Sequence, residues 1–235
     1  MRKFLFIVLA FGVAGWWFKD PTISVSNGDV SLGYVVKYSS NAGRSDTLPM
    51  LVALHGNGDT AKHFYETALD QINVPARIIL IKGPLSHGTG NAWPWRPDDF
   101  AHYGKPISEA IEMLTYKYPT VGKPVLLGFS GGGMMAYYQA VKYGDTYSYI
   151  FPVSGELSNE LLDDKSFRKG AKVFAYHGNS DNLVSISGGR KAVKILQEDG
   201  IAVQLTEFGG GHLGIFTDAK SDITHTVEQK LRSLN

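Results

Sequence analysis

Apolar and polar positions fall in blocks along the chain, and the lengths of the blocks separate strands from helices. After Pro21, "ISVSNGDVSLGYVVKYSS" sets Asn27-Gly28 between two β-rich runs, which predicts a hairpin with a tight turn. "PMLVALHGNGD" and "ARIILIKGP" (Ala76 to Pro84) are continuous apolar runs ending in loop residues, the pattern of parallel strands buried on both faces. A helical stretch near Lys62 to Leu69 separates them. Ile107, Ala110, Ile111 and Leu114 share one face of a helix predicted from about Ile107 to Tyr118. "PVLLGFS" then predicts a strand, and "GGMMAYYQAVKYG" a helix closed by Gly144. "YSYIFPVSG", "KVFAYHGNSD" and "AVQLTEFGGGH" read as further strands, with helices near Gly189 to Glu198 and Ile223 to Leu231. A hairpin followed by repeated strand and helix units implies an α/β chain, with one mostly parallel sheet covered by helices on both faces.

The first residues stand apart from this pattern. Met1, Arg2 and Lys3 give a positive start, and Phe4 to Gly15 is an apolar stretch of 12 residues without charge. That is short for a spanning helix, which needs about 20 apolar residues, and suits a secretory leader with small residues at Gly12, Ala14 and Gly15. An uncleaved anchor, with Trp16, Trp17 and Phe18 at the membrane interface and residues 4–18 carrying the association, is the alternative, and a first core helix is a third. Residues 1–19 are accordingly set aside as signal peptide or anchor, and 20–235 are read as one domain. Export, to the periplasm or the medium, or retention at a membrane is the expected localisation.

Composition narrows the chemistry. The chain has 23 basic and 22 acidic residues and a formal net charge of +1, so no global field favours nucleic acid or an acidic substrate. It holds no cysteine, which removes disulfides and thiolate chemistry.

What remains is a serine. Gly128-Phe129-Ser130-Gly131-Gly132 fits G-x-S-x-G between a predicted strand and a predicted helix, where the serine occupies a sharp turn and glycines relieve the crowding. A serine hydroxyl needs a base, and the base an orienting carboxylate, expected after the serine in the order acid, then histidine. Of His177, His212 and His225, His212 in "FGGGHLG" follows the last predicted strand, whereas His225 falls inside the terminal helix and His177 closes its own strand. Asp181 in "YHGNSDNLV" is the preferred acid over Asp145 and the Asp163-Asp164 pair, although an Asx-type turn residue would look the same. The tetrahedral oxyanion would need backbone N–H groups, one from Gly131 and one from Asn57 in the "LHGNGDT" loop. The phosphate-loop pattern G-x-x-x-x-G-K-[ST] does not occur.

Taken in order from Leu54 to His212, "LHGNGDT", "GFSGGG", "HGNSDNLV" and "GGGH" resemble the carboxylesterase and acyl-protein thioesterase branch of the α/β-hydrolases. The resemblance implies an α/β-hydrolase fold, with Ser130 as nucleophile, Asp181 and His212 as its partners and Asn57 with Gly131 as the oxyanion hole. It also implies no cofactor and a small-molecule ester or thioester as substrate. The chain departs from it in its exported-looking start, and in "GPLSHGTGNAWPWRPDDF", whose two tryptophans and three prolines are particular to this sequence. Trp93 and Trp95 flank Pro94 and could line the substrate site as an aromatic wall, or simply pack on the sheet edge. Met134 and Met135 read as helix packing. Without room for a large cap, a shallow, open pocket for short to medium acyl esters is expected. "SGGGMM" also resembles polyester depolymerases and feruloyl-type esterases, and a non-catalytic binding protein on the same fold is the reading from a different class.

Overall fold

The computed structural model describes residues 20–162 and 168–235, so the leader and the Asp163-Asp164 pair lie outside the described residues. β1 (Thr22–Val25) and β2 (Val30–Ser39) form the antiparallel hairpin, with a turn at Ser26–Gly28 where Gly28 takes φ +100°. β2 runs antiparallel to β4 (Ala76–Ile81), which pairs in parallel with β3 (Met50–Leu54). Beyond β3 all pairings are parallel, through β7 (Val125–Phe129), β8 (Tyr149–Val153), β9 (Lys172–Gly178) and β10 (Val203–Phe208). The eight strands lie in the order β1-β2-β4-β3-β7-β8-β9-β10. Every residue of β3, β4 and β7 is buried, as their unbroken apolar runs require.

Two cores flank the sheet. On one side α2 (Pro97–Lys117), α3 (Gly131–Lys142) and α4 (Ile186–Glu198) bury Ile107, Ile111, Leu114, Ala136 and Leu196. On the other, α1 (Ala61–Phe64), its π-helical continuation Tyr65–Leu69 and α5 (Lys220–Arg232) bury Phe64, Leu69, Ile223, Val227 and Leu231. This is the α/β-hydrolase arrangement. No helix among the described residues is long and apolar enough to cross a membrane.

Helix α2 begins at Pro97 rather than near Ile107. Proline at the first position and Asp98 and Asp99 in the first turn suit a helix start. Gly104 and Pro106 lie inside it. Gly104 is where α3 crosses: a Cβ there would overlap the ring of Tyr138, and its carbonyl accepts from Gln139 Nε2 at 2.8 Å. The tryptophan-bearing loop is also more ordered than its composition suggests, folding into a small hairpin of β5 (Leu85–His87) and β6 (Gly90–Ala92).

At the N-terminal end of the parallel strands Arg77 is fully buried. Its Nη1 donates to Pro119 O at 2.7 Å, its Nη2 to Asp46 O at 3.0 Å and Arg44 O at 3.2 Å, and Tyr38 and Tyr118 cover its faces. At the opposite end, β4 lies to one side of β3 and β7 to the other. Between the loops that leave β3 and β7 a crevice opens, the place where sheets of this type hold ligands.

Candidate active site

Ser130 stands between β7 and α3 with φ 54° and ψ −117°, a conformation costing roughly 1–3 kcal/mol for a residue with a side chain. Neighbouring structure holds it there. Ser130 N–H donates to Val153 O at 2.9 Å, and Ser130 O accepts from Met134 N at 2.9 Å. The flanking glycines are required by close approach: a Cβ at Gly128 would overlap the Gly132 carbonyl, and one at Gly132 the Leu54 carbonyl.

Three strand ends bring a polar chain to this turn. His212 opens a short 3-10 turn just past β10, and its Nε2 lies 2.9 Å from Ser130 Oγ. Its Nδ1 lies 2.8 Å from Oδ2 of Asp181, in the loop after β9. Oδ1 of Asp181 accepts from the amides of Leu183 (3.0 Å) and Val184 (2.9 Å). The Asx-type turn and the partner of His212 are thus one residue, with an oxygen for each. Burial alone would raise the Asp181 pKa, but hydrogen bonds from His212 and from the Val184 and Leu183 amides outweigh it and hold the carboxyl below its ordinary value. Ser154 Oγ donates to His212 O at 3.2 Å and fixes the main chain of the histidine as well.

The other candidates are elsewhere or play other parts. His225 is exposed on α5 beside Gln229, and Asp145 sits on the surface 4.0 Å from Arg168. His177 is buried, its Nε2 2.8 Å from Val184 O and 3.3 Å from Asp181 Oδ2. It therefore braces the acid's loop from behind.

Asn57 and Gly131 are brought face to face, so closely that a Cβ at Gly131 would overlap the Asn57 side chain. The loop carrying Asn57 is held by a network that the sequence reading missed. Gly83 N–H donates to His55 Nε2 at 3.0 Å, so the neutral ring carries its proton on Nδ1 and donates to Gly56 O at 2.7 Å. Burial pushes the His55 pKa down, against smaller opposing effects of the Gly56 carbonyl and Asp59. The β5–β6 hairpin completes the support, with Gly58 N–H donating to Asn91 O at 2.8 Å and Asn91 N–H to Asp59 O at 2.9 Å.

The expected aromatic wall is corrected here. Trp93 is 0% exposed, its Nε1 donating to His55 O at 2.6 Å and its main-chain N–H to Asn57 Oδ1 at 2.8 Å. It supports the loop from beneath instead of touching the cavity. Trp95 is 56% exposed and outside the cavity lining. A loop's composition does not say which tryptophan faces inward; the buried indole N–H found a carbonyl, and that decides it. Met135 is buried, in keeping with helix packing.

Over Ser130 and His212 lies an open cavity of about 490 Å³. Phe129, Leu183, Val184, Leu213 and Phe216 supply its apolar lining, and the Gly56–Asp59 stretch with His63 supplies the polar part. Phe129 packs tilted against His212 and edge-on to Phe216, both with centroids 5.1 Å apart. Asp59 Oδ1 and His63 Nδ1 are 2.8 Å apart at the rim. Among the described residues no cluster of side chains fit to hold a metal ion is found.

Comparison with known proteins agrees with the architecture. A family model described as phospholipase/carboxylesterase matches residues 95–226, more than half of the chain. A carboxylesterase from Mesorhizobium loti superposes with a TM-score of 0.70 at 15% identity, over 88% of this chain and 98% of that one. A Bacillus cereus carboxylesterase gives 0.66 at 18% identity, over 82% and 94%. A ferulic acid esterase gives 0.65 at 15% identity, over 92% and 97%. No curated protein sequence matches.

Proposed function

This chain belongs to the phospholipase/carboxylesterase family of the α/β-hydrolases, and from that premise we propose that it is a serine esterase working through an acyl-enzyme on short to medium acyl esters or thioesters. The observation that carries the reading is the continuous chain Ser130 Oγ, His212 Nε2, His212 Nδ1 and Asp181 Oδ2 at the base of an open cavity, with contacts of 2.9 and 2.8 Å.

In this mechanism His212 takes the Ser130 proton as Oγ bonds the ester carbonyl carbon. The oxyanion is met by the N–H groups of Gly131 and Asn57, each such donor being worth about 2.7–4 kcal/mol in the transition state. His212 returns the proton to the leaving oxygen as its bond to carbon breaks. Water then attacks the acyl carbon, giving its proton to His212, and the Ser130 hydroxyl is restored. Asp181, ionised because its hydrogen bonds outweigh its burial, orients the ring and stabilises the imidazolium.

A feruloyl-type or polyester substrate is the second reading, favoured by Phe129 and Phe216, whose rings would pack against an aromatic acid. Export or membrane anchoring through residues 4–18 belongs to the proposal too, and comparing the first residue of the purified protein with Met1 tests it. The test of the activity itself is a fluorophosphonate label followed by an ester panel. Modification of Ser130 in the native protein and not in Ser130→Ala supports the enzyme, whereas a folded, unreactive protein points to the non-catalytic binder.

A further inference from the structure

Among the cavity side chains that the mechanism above leaves unused are two exposed leucines. Leu183 is 74% exposed and Leu213 58% exposed, although both line the cavity that holds Ser130 and His212. Both are fixed to the polar chain through the backbone. Leu213 follows His212 directly, and the Leu183 amide donates to Asp181 Oδ1 at 3.0 Å. Val184, whose amide donates to the same oxygen, adds to the apolar lining of this cavity. Leucines left in water beside a nucleophile gain free energy when an apolar part of the substrate covers them.

Which part of an ester covers them follows from the path of the proton. The proton that leaves Ser130 Oγ rests on His212 Nε2 and goes from there to the leaving oxygen, so that oxygen must lie within hydrogen-bond reach of Nε2. Whatever is attached to it then extends past the residues that flank His212 and Asp181. We propose that Leu183 and Leu213, with Val184, bind the alcohol or thiol half of the substrate, and that the enzyme selects esters whose leaving group is apolar, alkyl or aryl. The assignment rests on the esterase reading above.

A grid of esters tests it. Acetyl, butanoyl and octanoyl esters, each of methanol, butanol and hexanol, are followed by acid release at constant pH. At a fixed acyl group, kcat/KM of the native protein is expected to rise about two- to fourfold per methylene added to the alcohol. The double variant Leu183→Ser with Leu213→Ser is expected to flatten that rise, while its response to acyl length at a fixed alcohol follows the native pattern. An alcohol length without effect, or a variant that flattens the acyl series instead, overturns the assignment. The native grid needs no variant, and melting temperatures measured beside the rates separate lost binding from lost folding. The two readings fail differently: an unlabelled Ser130 removes the esterase itself, whereas a labelled enzyme blind to the alcohol removes only the role of the leucines.

Discussion

Ser130 and Ser154 end adjacent parallel strands, and both have left-handed φ, 54° and 49°. Each is followed by glycine, and each main-chain N–H reaches to the next strand, Ser130 to Val153 O and Ser154 to Tyr176 O, both at 2.9 Å. They differ in what their hydroxyls meet. Ser130 Oγ meets an imidazole nitrogen, can give up a proton to it and opens on a cavity. Ser154 is fully buried and donates to the main-chain carbonyl of the same histidine. A carbonyl cannot take a proton away at neutral pH, so the second serine can only hold. A strained serine at a strand end therefore marks the crossing of the sheet's edge, and only its partner gives it chemistry.

The largest expected effect separates the two serines outright. Ser130→Ala should lower turnover by about 10⁴- to 10⁶-fold with the melting temperature retained, and near-native turnover in that variant would erase the contrast. Next comes Asp181, the proposed partner of His212. Asp181→Asn should cost about 10⁴-fold in kcat with little change in KM, because the amide favours the wrong imidazole tautomer. Asp145→Asn, on the surface beside Arg168, should be almost silent. A stable Asp181→Asn protein with most of its turnover would leave His212 without its orienting partner.

Ser154→Ala probes the holding role, and the expectation is at most a tenfold loss of turnover and about 1 kcal/mol of stability, read from rates and from chemical denaturation. A loss rivalling that of Ser130→Ala would make both serines chemical.

The smallest effect concerns His55, which holds the loop facing Ser130 as Ser154 holds the histidine. Its pKa is lowered in the folded protein, so between that value and the ordinary 6.5 the unfolded chain binds more protons. Stability contributed by the neutral ring is complete above pH 6.5 and falls as the pH drops toward the folded value, by at most about 1.4 kcal/mol per pH unit. Denaturation midpoints measured against pH should show this slope in the native protein and not in His55→Gln. Asp181 acts at lower pH: its stabilising ionised form is complete above the ordinary carboxylate range and lost as pH falls through its depressed value.

Much of this was legible because the chemistry demands particular residue types at particular turns. Buried strands β3, β4 and β7 announce themselves as unbroken apolar runs, and glycines that must approach a backbone, such as Gly128 and Gly132, bracket Ser130. What stayed hidden depends on contacts distant in sequence. The first turns of α2, from Pro97, were not predicted, and the crossing with Tyr138 that asks for glycine at 104 is a tertiary fact. Trp93 could not be told from Trp95 without the carbonyl of His55. His55 stood in plain view in "LHGNGDT", yet its role appears only with Gly83, just past the end of the neighbouring strand β4. The cavity's leucines likewise carry no local mark, since a leucine two residues past an aspartate is ordinary until the loop turns it outward.

One consequence lies at the far end of the sheet. The two terminal nitrogens of the buried Arg77 guanidinium donate to the carbonyls of Pro119, Asp46 and Arg44 and two tyrosine rings cover its faces, while its Nε meets no acceptor among the described residues. Mobile ions screen charges that they can approach, and here they cannot enter. Exposed pairs such as Lys62 with Glu66 fade in brine, but this knot of two loops and a strand does not. The molecule is thereby fastened at its base by an attraction indifferent to ionic strength.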